Sequence, residues 1–353
     1  MSTIMDVFIK PLLTNLGLYT PTDPTHGRYL LETSPYEAEP EKDKDILVTS
    51  RRVFLESGKG ENVKLTQEEL DSSRKKEWIY YKVWEKGPGN NCDVVVLHGL
   101  NDYGGKWSSH VAHLLEKGFR IIAPDLPSHG RSTGLHVYIT SSVQLLEAVN
   151  TVLFDVESLS DFRNKVFIVG SSLGGGIALN YCAHHVGGSR IAGIFCIAPM
   201  IGVAPETMPS PILRRAAQIM RFFVPRLPFA KAVRGNVSDD PRVEEEFLAD
   251  PRGYHGNLRI SSGLALLACM SYLTPTVISS FTTPFRIVHG SNDRATSYHH
   301  SVKFYEAASS QDKQLEIYDG YEHVMLKVGV DQKDDEQRQR VLKDLETWLL
   351  QRV

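Results

Sequence analysis

Three residue types that together can cleave an acyl bond occur in a telling order along this chain. There is a serine in Gly170-Ser171-Ser172-Leu173-Gly174, an aspartate in HGSND ending at Asp293, and a histidine in DGYEH ending at His323. A serine hydroxyl is a weak nucleophile at neutral pH. It becomes effective when a histidine takes its proton and a carboxylate orients that histidine. The G-x-S-x-G spacing alone is weak, and a second copy stands at Gly130-Arg131-Ser132-Thr133-Gly134. Context separates the two. Ser172 follows the apolar run VFIV (166–169) within three residues and is followed at once by LGGGIALNYCAHH, a helical stretch. That strand, tight turn and helix present a serine on a strained backbone with its hydroxyl exposed. Ser132 lies well past its strand, and no helix opens directly after it.

The glycines Gly174, Gly175 and Gly176 then have a reason. Each costs a helix on the order of 1 kcal/mol relative to alanine. A sharp elbow presses the first helical turn against neighbouring strands, where side chains would collide. The partners of such a serine follow it in the order acid, then histidine, each on a loop after a later strand. Asp293 follows the run FRIV (285–288), and His323 follows LEIY (315–318). Asp125 ends a strand but precedes the serine. Asp319 and Glu322 read as turn residues, His299 and His300 as an exposed helix start, and His98 and His289 as structural histidines. The reaction also needs two backbone N–H donors for the developing oxyanion. Leu173, immediately after the serine, offers one. Leu100, in the His98-Gly99-Leu100-Asn101 loop after VVVL (94–97), offers the other.

The elements that must position these groups alternate. Strand-like runs fall at 46–55, 78–84, 94–97, 121–123, 166–169, 191–198, 285–288 and 315–318, with helical segments between most of them. Uninterrupted apolar strands alternating with helices predict an α/β fold, a mostly parallel central sheet with helices on both faces. Between the strands at 46–55 and 78–84, Thr66 and Glu69 have the spacing of a capping box. The segment 332–351 places Val341, Leu342, Leu345, Trp348 and Leu349 at helical spacing. About eighty residues separate Ala198 from the strand at Phe285, far more than a βα connection needs. Within them, 211–225 puts Ile212, Ala216, Ile219, Met220 and Phe223 on one face. The expected organisation is an arm at 1–45, a core at 46–198 and 282–353, and an inserted helical cap at 199–281. Residues 20–45 of the arm are rich in proline and charge, a linker composition rather than a domain.

Composition narrows the function classes. The formal net charge is −3 with no basic stripe, which argues against a nucleic-acid partner. Cys92, Cys182, Cys196 and Cys269 are far apart and lack metal-site spacing, so they read as free thiols in a reducing, cytoplasmic setting. The start, MSTIMDVFIKPLL, lacks the basic flank of a signal peptide. The uncharged stretch between Arg259 and Arg286 is diluted by serine, threonine, glycine and proline, and reads as a buried helix and loop.

Together, HGLNDYGGKW (98–107), APDLPSHGRSTG (123–134), GSSLGGG (170–176), PFRIVHGSNDRATS (284–297) and YDGYEHVML (318–326) resemble the monoacylglycerol lipase group of the α/β-hydrolase superfamily. The match runs from about Trp78 onward. The resemblance implies an α/β-hydrolase fold and a serine hydrolase that needs no metal or organic cofactor. It implies a lipid ester substrate, a monoacylglycerol cleaved to fatty acid and glycerol through an acyl-enzyme. It also implies a cap that rests on membrane or lipid-droplet surfaces. Three features depart from the group or go beyond it. Ser171 stands where a histidine is common, and Leu326 and Phe247 stand where glycerol-selective relatives carry polar side chains. Asp102 is the remaining candidate for a head-group contact. The same triad would serve a carboxylesterase, a lysophospholipase or an acyltransferase, and the fold alone would serve a non-catalytic binding protein.

Overall fold

A computed structural model describes residues 5, 9–19, 21–35, 37, 42–159, 165–203, 208–230 and 237–353. Parts of the expected arm and cap therefore lie outside the described residues. The strands are β1 (Ile46–Phe54), β2 (Gly60–Asn62), β3 (Trp78–Lys86), β4 (Cys92–Leu97), β5 (Arg120–Pro124), β6 (Lys165–Ser171), β7 (Ile191–Ile197), β8 (Pro228–Ala230), β9 (Leu258–Arg259), β10 (Phe285–Gly290) and β11 (Lys313–Tyr318). One sheet runs in the order β11-β10-β7-β6-β4-β5-β3-β1-β2. From β11 to β5 all neighbours pair parallel, whereas β3, β1 and β2 add antiparallel at one edge. This is the α/β-hydrolase fold.

Why the strands are continuous apolar runs is visible in the two core clusters. Val95, Leu97 and Ile168 point to one face with residues of the helices Ser142–Ser158 and Leu173–His184. Val94, Val96, Phe167 and Val169 point to the other, against the helices Ser108–Leu115 and Glu336–Leu350. A sheet covered on both sides has no solvent face to mark with polar residues. The capping box forms as the spacing predicts. Glu69 N–H donates to Thr66 Oγ1, and Thr66 N–H donates to the Glu69 carboxylate.

Between β7 and β10 come the helices Pro211–Met220, Pro241–Ala249, Ile260–Tyr272 and Pro275–Ser279, and the small β8–β9 pair. The uncharged stretch supplies Ile260–Tyr272. One side of this helix joins the core through Ala265, Leu266 and Cys269; the other lines a cavity through Gly263, Leu264, Leu267 and Met270. Among the described residues, no helix is long and apolar enough to cross a membrane. All four cysteines are free thiols.

The arm is more than a linker. Arg28 is buried and donates to the carbonyls of Gly130, Ser132 and Gly134, while Tyr29 packs edge-on against Trp78. Glu37 is buried among Arg252 of the inserted segment, Arg131 and Lys82. The partners are remote in sequence, Glu37 and Arg252 by 215 positions, so local composition carries no trace of them.

Buried histidines set an acid limit on stability. Burial lowers His98 from 6.5 to about 4 and holds His129 well below 6.5. The unfolded chain therefore takes up protons at both as pH falls below ~6.5, and the folded chain does not. Asp125, pushed up to about 6 by burial, acts in the opposite direction over the same window. Two protons against one leave these three groups a net loss of about 1.4 kcal/mol per pH unit between ~6 and ~4.5. His110, lowered to about 3 by burial, adds to the loss with the same sign. Urea midpoints should therefore be lower at pH 5 than at pH 7; equal midpoints would contradict the assignment.

Candidate active site

The turn from β6 into the helix Leu173–His184 holds Ser172 at φ 52°, ψ −115°. A non-glycine residue there stores on the order of 1–3 kcal/mol, which the surrounding packing must enforce. That packing is the glycine cluster. A Cβ on Gly174 would lie 2.1 Å from the Leu97 carbonyl oxygen, and one on Gly170 would lie 2.5 Å from the Gly174 backbone. A Cβ on Gly176 would lie 2.7 Å from the Met200 carbonyl oxygen. The elbow helix can sit on β4 and the end of β7 only without side chains at these positions.

Ser172, Asp293 and His323 come together at the carboxyl ends of β6, β10 and β11. His323 Nε2 lies 3.0 Å from Ser172 Oγ, and His323 Nδ1 lies 2.7 Å from Asp293 Oδ2. The Asp293 side chain is fully enclosed. Its Oδ1 accepts the backbone N–H groups of Ala295 (2.7 Å) and Thr296 (2.9 Å), and its Oδ2 accepts the Thr296 hydroxyl (2.8 Å). Burial opposes its ionisation, yet the adjacent imidazoles of His323 and His289, through charge and hydrogen bonding, hold the carboxyl well below the usual carboxylate range. The second G-x-S-x-G serine does different work. Ser132 is buried, donates to the Asp125 carbonyl and accepts from the Tyr80 N–H.

His289 reads from sequence as structural and is more closely involved than that. Its Nε2 lies 3.1 Å from Asp293 Oδ2, its Nδ1 lies 2.8 Å from Ser301 Oγ, and burial lowers its pKa. A neutral His289 donating to Asp293 fixes the carboxylate from behind. In sequence it stands at a strand end four residues before the acid, a placement too common to assign the role. His98 is structural, accepting the Leu126 N–H at Nε2 (2.9 Å), and Asp125 accepts the N–H groups of Gly104 and Arg131. Glu322, expected as a turn residue, is a clasp. It accepts from Ser238 and Asp239 of the inserted segment and from Arg294, tying that segment to the loop that carries His323.

The expected oxyanion donors flank Ser172. Leu173 opens the elbow helix, whose first N–H groups have no intrahelical partner and lie at the positive end of the helix dipole. Leu100 N–H makes no hydrogen bond to the described residues. Its neighbour Gly99 approaches so closely that a Cβ there would stand 3.5 Å from Ser172 Cβ.

Ser172 and His323 open into a cavity of about 420 Å³. Its walls are mostly apolar, with Leu213, Ala217, Phe229, Leu264 and Leu267 among them, and both Leu326 and Phe247 reach it. One polar cluster reaches it. Asp102 Oδ1 lies 3.4 Å from Lys106 Nζ, which also lies 3.8 Å from the Asp250 carboxylate. Ser171 lines the cavity as well. A serine hydroxyl, an imidazole, a buried carboxylate and backbone N–H groups beside a largely apolar cavity are an arrangement that could transfer an acyl group from an ester with a hydrocarbon chain.

Comparison with known proteins agrees with this chemistry. A family model described as serine aminopeptidase, S33, matches residues 90–327. The monoacylglycerol lipase of Mycolicibacterium smegmatis is 26% identical, over 77% of this chain and 92% of its own. The monoglyceride lipase of Rattus norvegicus is 25% identical, over 78% and 88%. The fold is similar to that of a soluble variant of the monoglyceride lipase from Saccharomyces cerevisiae in complex with a substrate analog. That structure has a TM-score of 0.67 at 20% identity and covers 78% of this chain and 92% of that one.

Proposed function

Because the chain belongs to the serine aminopeptidase S33 family, and within the α/β-hydrolase superfamily to the monoacylglycerol lipase group, we propose that it hydrolyses long-chain monoacylglycerols with Ser172 as nucleophile. His323 takes the hydroxyl proton as Ser172 Oγ attacks the ester carbonyl, and Asp293 stabilises the imidazolium that forms. The N–H groups of Leu100 and Leu173 bind the oxyanion of the tetrahedral intermediate. His323 then protonates the departing glycerol oxygen, leaving an acyl-Ser172. A water deprotonated by His323 repeats the sequence and releases the fatty acid. Asp102, beside Lys106 on the cavity wall, is the group we assign to the glycerol hydroxyls. The observation that carries this reading is the 3.0 Å approach of His323 Nε2 to Ser172 Oγ in the wall of a largely apolar cavity.

In this reading, residues 199–281 act as the cap over a core formed by 46–198 and 282–353. The acyl chain lies against the helix Pro211–Met220, and that helix rests on a lipid surface. The free cysteines suit a cytoplasmic location peripheral to such a surface. The test is a substrate panel on the purified chain, combined with labelling by a fluorophosphonate. We expect Ser172 to carry the label and kcat/KM to be highest for long-chain monoacylglycerols. A higher kcat/KM on short-chain nitrophenyl esters or on lysophospholipids would overturn the substrate assignment while leaving the nucleophile in place.

A further inference from the structure

Residues 9–19 lie outside the segment that the family model matches, yet Thr14 and Asn15 are bonded to the inserted segment. Ile9, Leu12 and Leu16 are exposed apolar side chains at spacings of three and four, one face of a helix, and Met5 is exposed as well. Thr14, on the other side of the helix Lys10–Asn15, is buried. An amphipathic helix of a globular protein turns its apolar stripe inward; this one turns it outward. Leu12 is 58% exposed and Leu16 48%.

The cap helix Pro211–Met220 does the same. Leu213 and Ala217 face the cavity, but Ile212 is 84% exposed, and the turn after the helix projects Phe222 (85%) and Phe223 (79%). Sequence periodicity groups Ile212, Ala216, Ile219, Met220 and Phe223 on one face, and of these Ile212, Ile219 and Phe223 are exposed to solvent while Ala216 and Met220 are half-buried. The two outward faces are joined. Arg226, just past Phe223, donates to the Thr14 carbonyl (3.0 Å), and Arg259 donates to Asn15 Oδ1 (2.8 Å) and to the Arg226 carbonyl (2.7 Å).

We propose that residues 9–19, with Met5, and the cap segment 208–230 form one composite surface that docks on an anionic lipid bilayer. The inference rests on the lipid-ester reading above and adds to it a second, N-terminal wedge. Charge selects the occupant. Across 9–19 and 208–230 the sequence holds Lys10, Arg214, Arg215, Arg221 and Arg226 and no Asp or Glu, in a chain whose formal net charge is −3. Exposed aromatic and aliphatic side chains among basic ones suit the headgroup boundary of an anionic membrane. A second copy of the chain fits less well, because a two-fold contact would bring like charges together. The cavity lies on the inner side of the same cap helix, so docking would bring the membrane to the wall against which the acyl chain packs.

The test uses the full chain and co-sedimentation with phosphatidylcholine vesicles, with and without phosphatidylserine. We expect about tenfold or stronger partitioning onto the anionic vesicles, lost to a similar extent in Leu12→Asp/Leu16→Asp and in Phe222→Asp/Phe223→Asp. Hydrolysis of a soluble short-chain nitrophenyl ester should stay within about twofold of the parent, because none of the four side chains lines the cavity. A Leu16→Trp variant gives an independent readout, an emission blue shift on anionic vesicles only. If only the phenylalanine pair lowers partitioning and the Leu16→Trp emission does not shift, the N-terminal wedge is refuted and the cap reading survives. If neither pair matters, both fall. Dissociation of a solution dimer by the leucine pair would reassign the face to self-association and overturn the proposal.

Discussion

Ser172→Ala should lower kcat for monoacylglycerol by about 10⁵–10⁶ and abolish fluorophosphonate labelling, with thermal stability within about 1 kcal/mol of the parent. The size follows from the site acting as a unit. Without the hydroxyl, His323 has no proton to take and Asp293 no imidazolium to stabilise, so the other members contribute little on their own. What remains is the oxyanion donors and the cavity, worth about 10³ over water. Folding should be spared because the elbow is enforced by Gly170, Gly174 and Gly176 and not by the serine oxygen, which makes no capping bond to the helix. Two other serines make the result decisive. Ser132 is sealed between Asp125 and Tyr80, and Ser171 lines the cavity while the His323 Nε2 faces Ser172 instead. Turnover above about 1% of the parent would mean that another group is the nucleophile.

The catalytic candidates were legible because this fold places chemistry where strands end. An apolar run, a stop and a polar residue can be read from one sequence, and Ser172, Asp293 and His323 each follow such a run. The parallel sheet was legible for the same reason, since burial on both faces erases the polar alternation of its strands. What could not be read depends on partners distant in sequence. Glu37, in a charged and proline-rich stretch, has the composition of solvated chain, but Arg252 and Lys82 meet it from elsewhere and bury it. β2 and the β8–β9 pair are too short to show a period, and they exist because a neighbour offers hydrogen bonds. The apolar face of Pro211–Met220 was legible as a stripe but not as to its side, because periodicity says which residues share a face and not what that face meets. His289 carries no role in the sequence because strand-end histidines are common. Only its 3.1 Å approach to Asp293 distinguishes it.

Asp293→Asn should cost about 10⁴ in kcat while leaving the fold almost unchanged, through the tautomer of His323. The hydrogen bonds to Asp293 dictate how the new amide sits. Oδ1 is held by two backbone donors, Ala295 N–H and Thr296 N–H, so the amide oxygen must occupy that position. The NH₂ group then takes the place of Oδ2, 2.7 Å from His323 Nδ1. An amide nitrogen can only donate, so His323 must accept at Nδ1 and carry its proton on Nε2. That nitrogen faces Ser172 Oγ, and as an N–H it can no longer take the serine proton. The imidazolium also loses the carboxylate that stabilises it. His289, which donates to Oδ2 in the native site, would have to switch to accepting, and the Thr296 hydroxyl would have to turn away. Asp293→Ala should behave differently. It frees the His323 tautomer but strands two buried N–H donors at about 1–3 kcal/mol each, so it should lower stability as well as activity. The two variants therefore separate orientation from scaffolding: a large loss of kcat with an unchanged melting temperature in Asp293→Asn, and loss of both in Asp293→Ala. If Asp293→Asn retained activity within about tenfold of the parent, another carboxylate would have to orient His323.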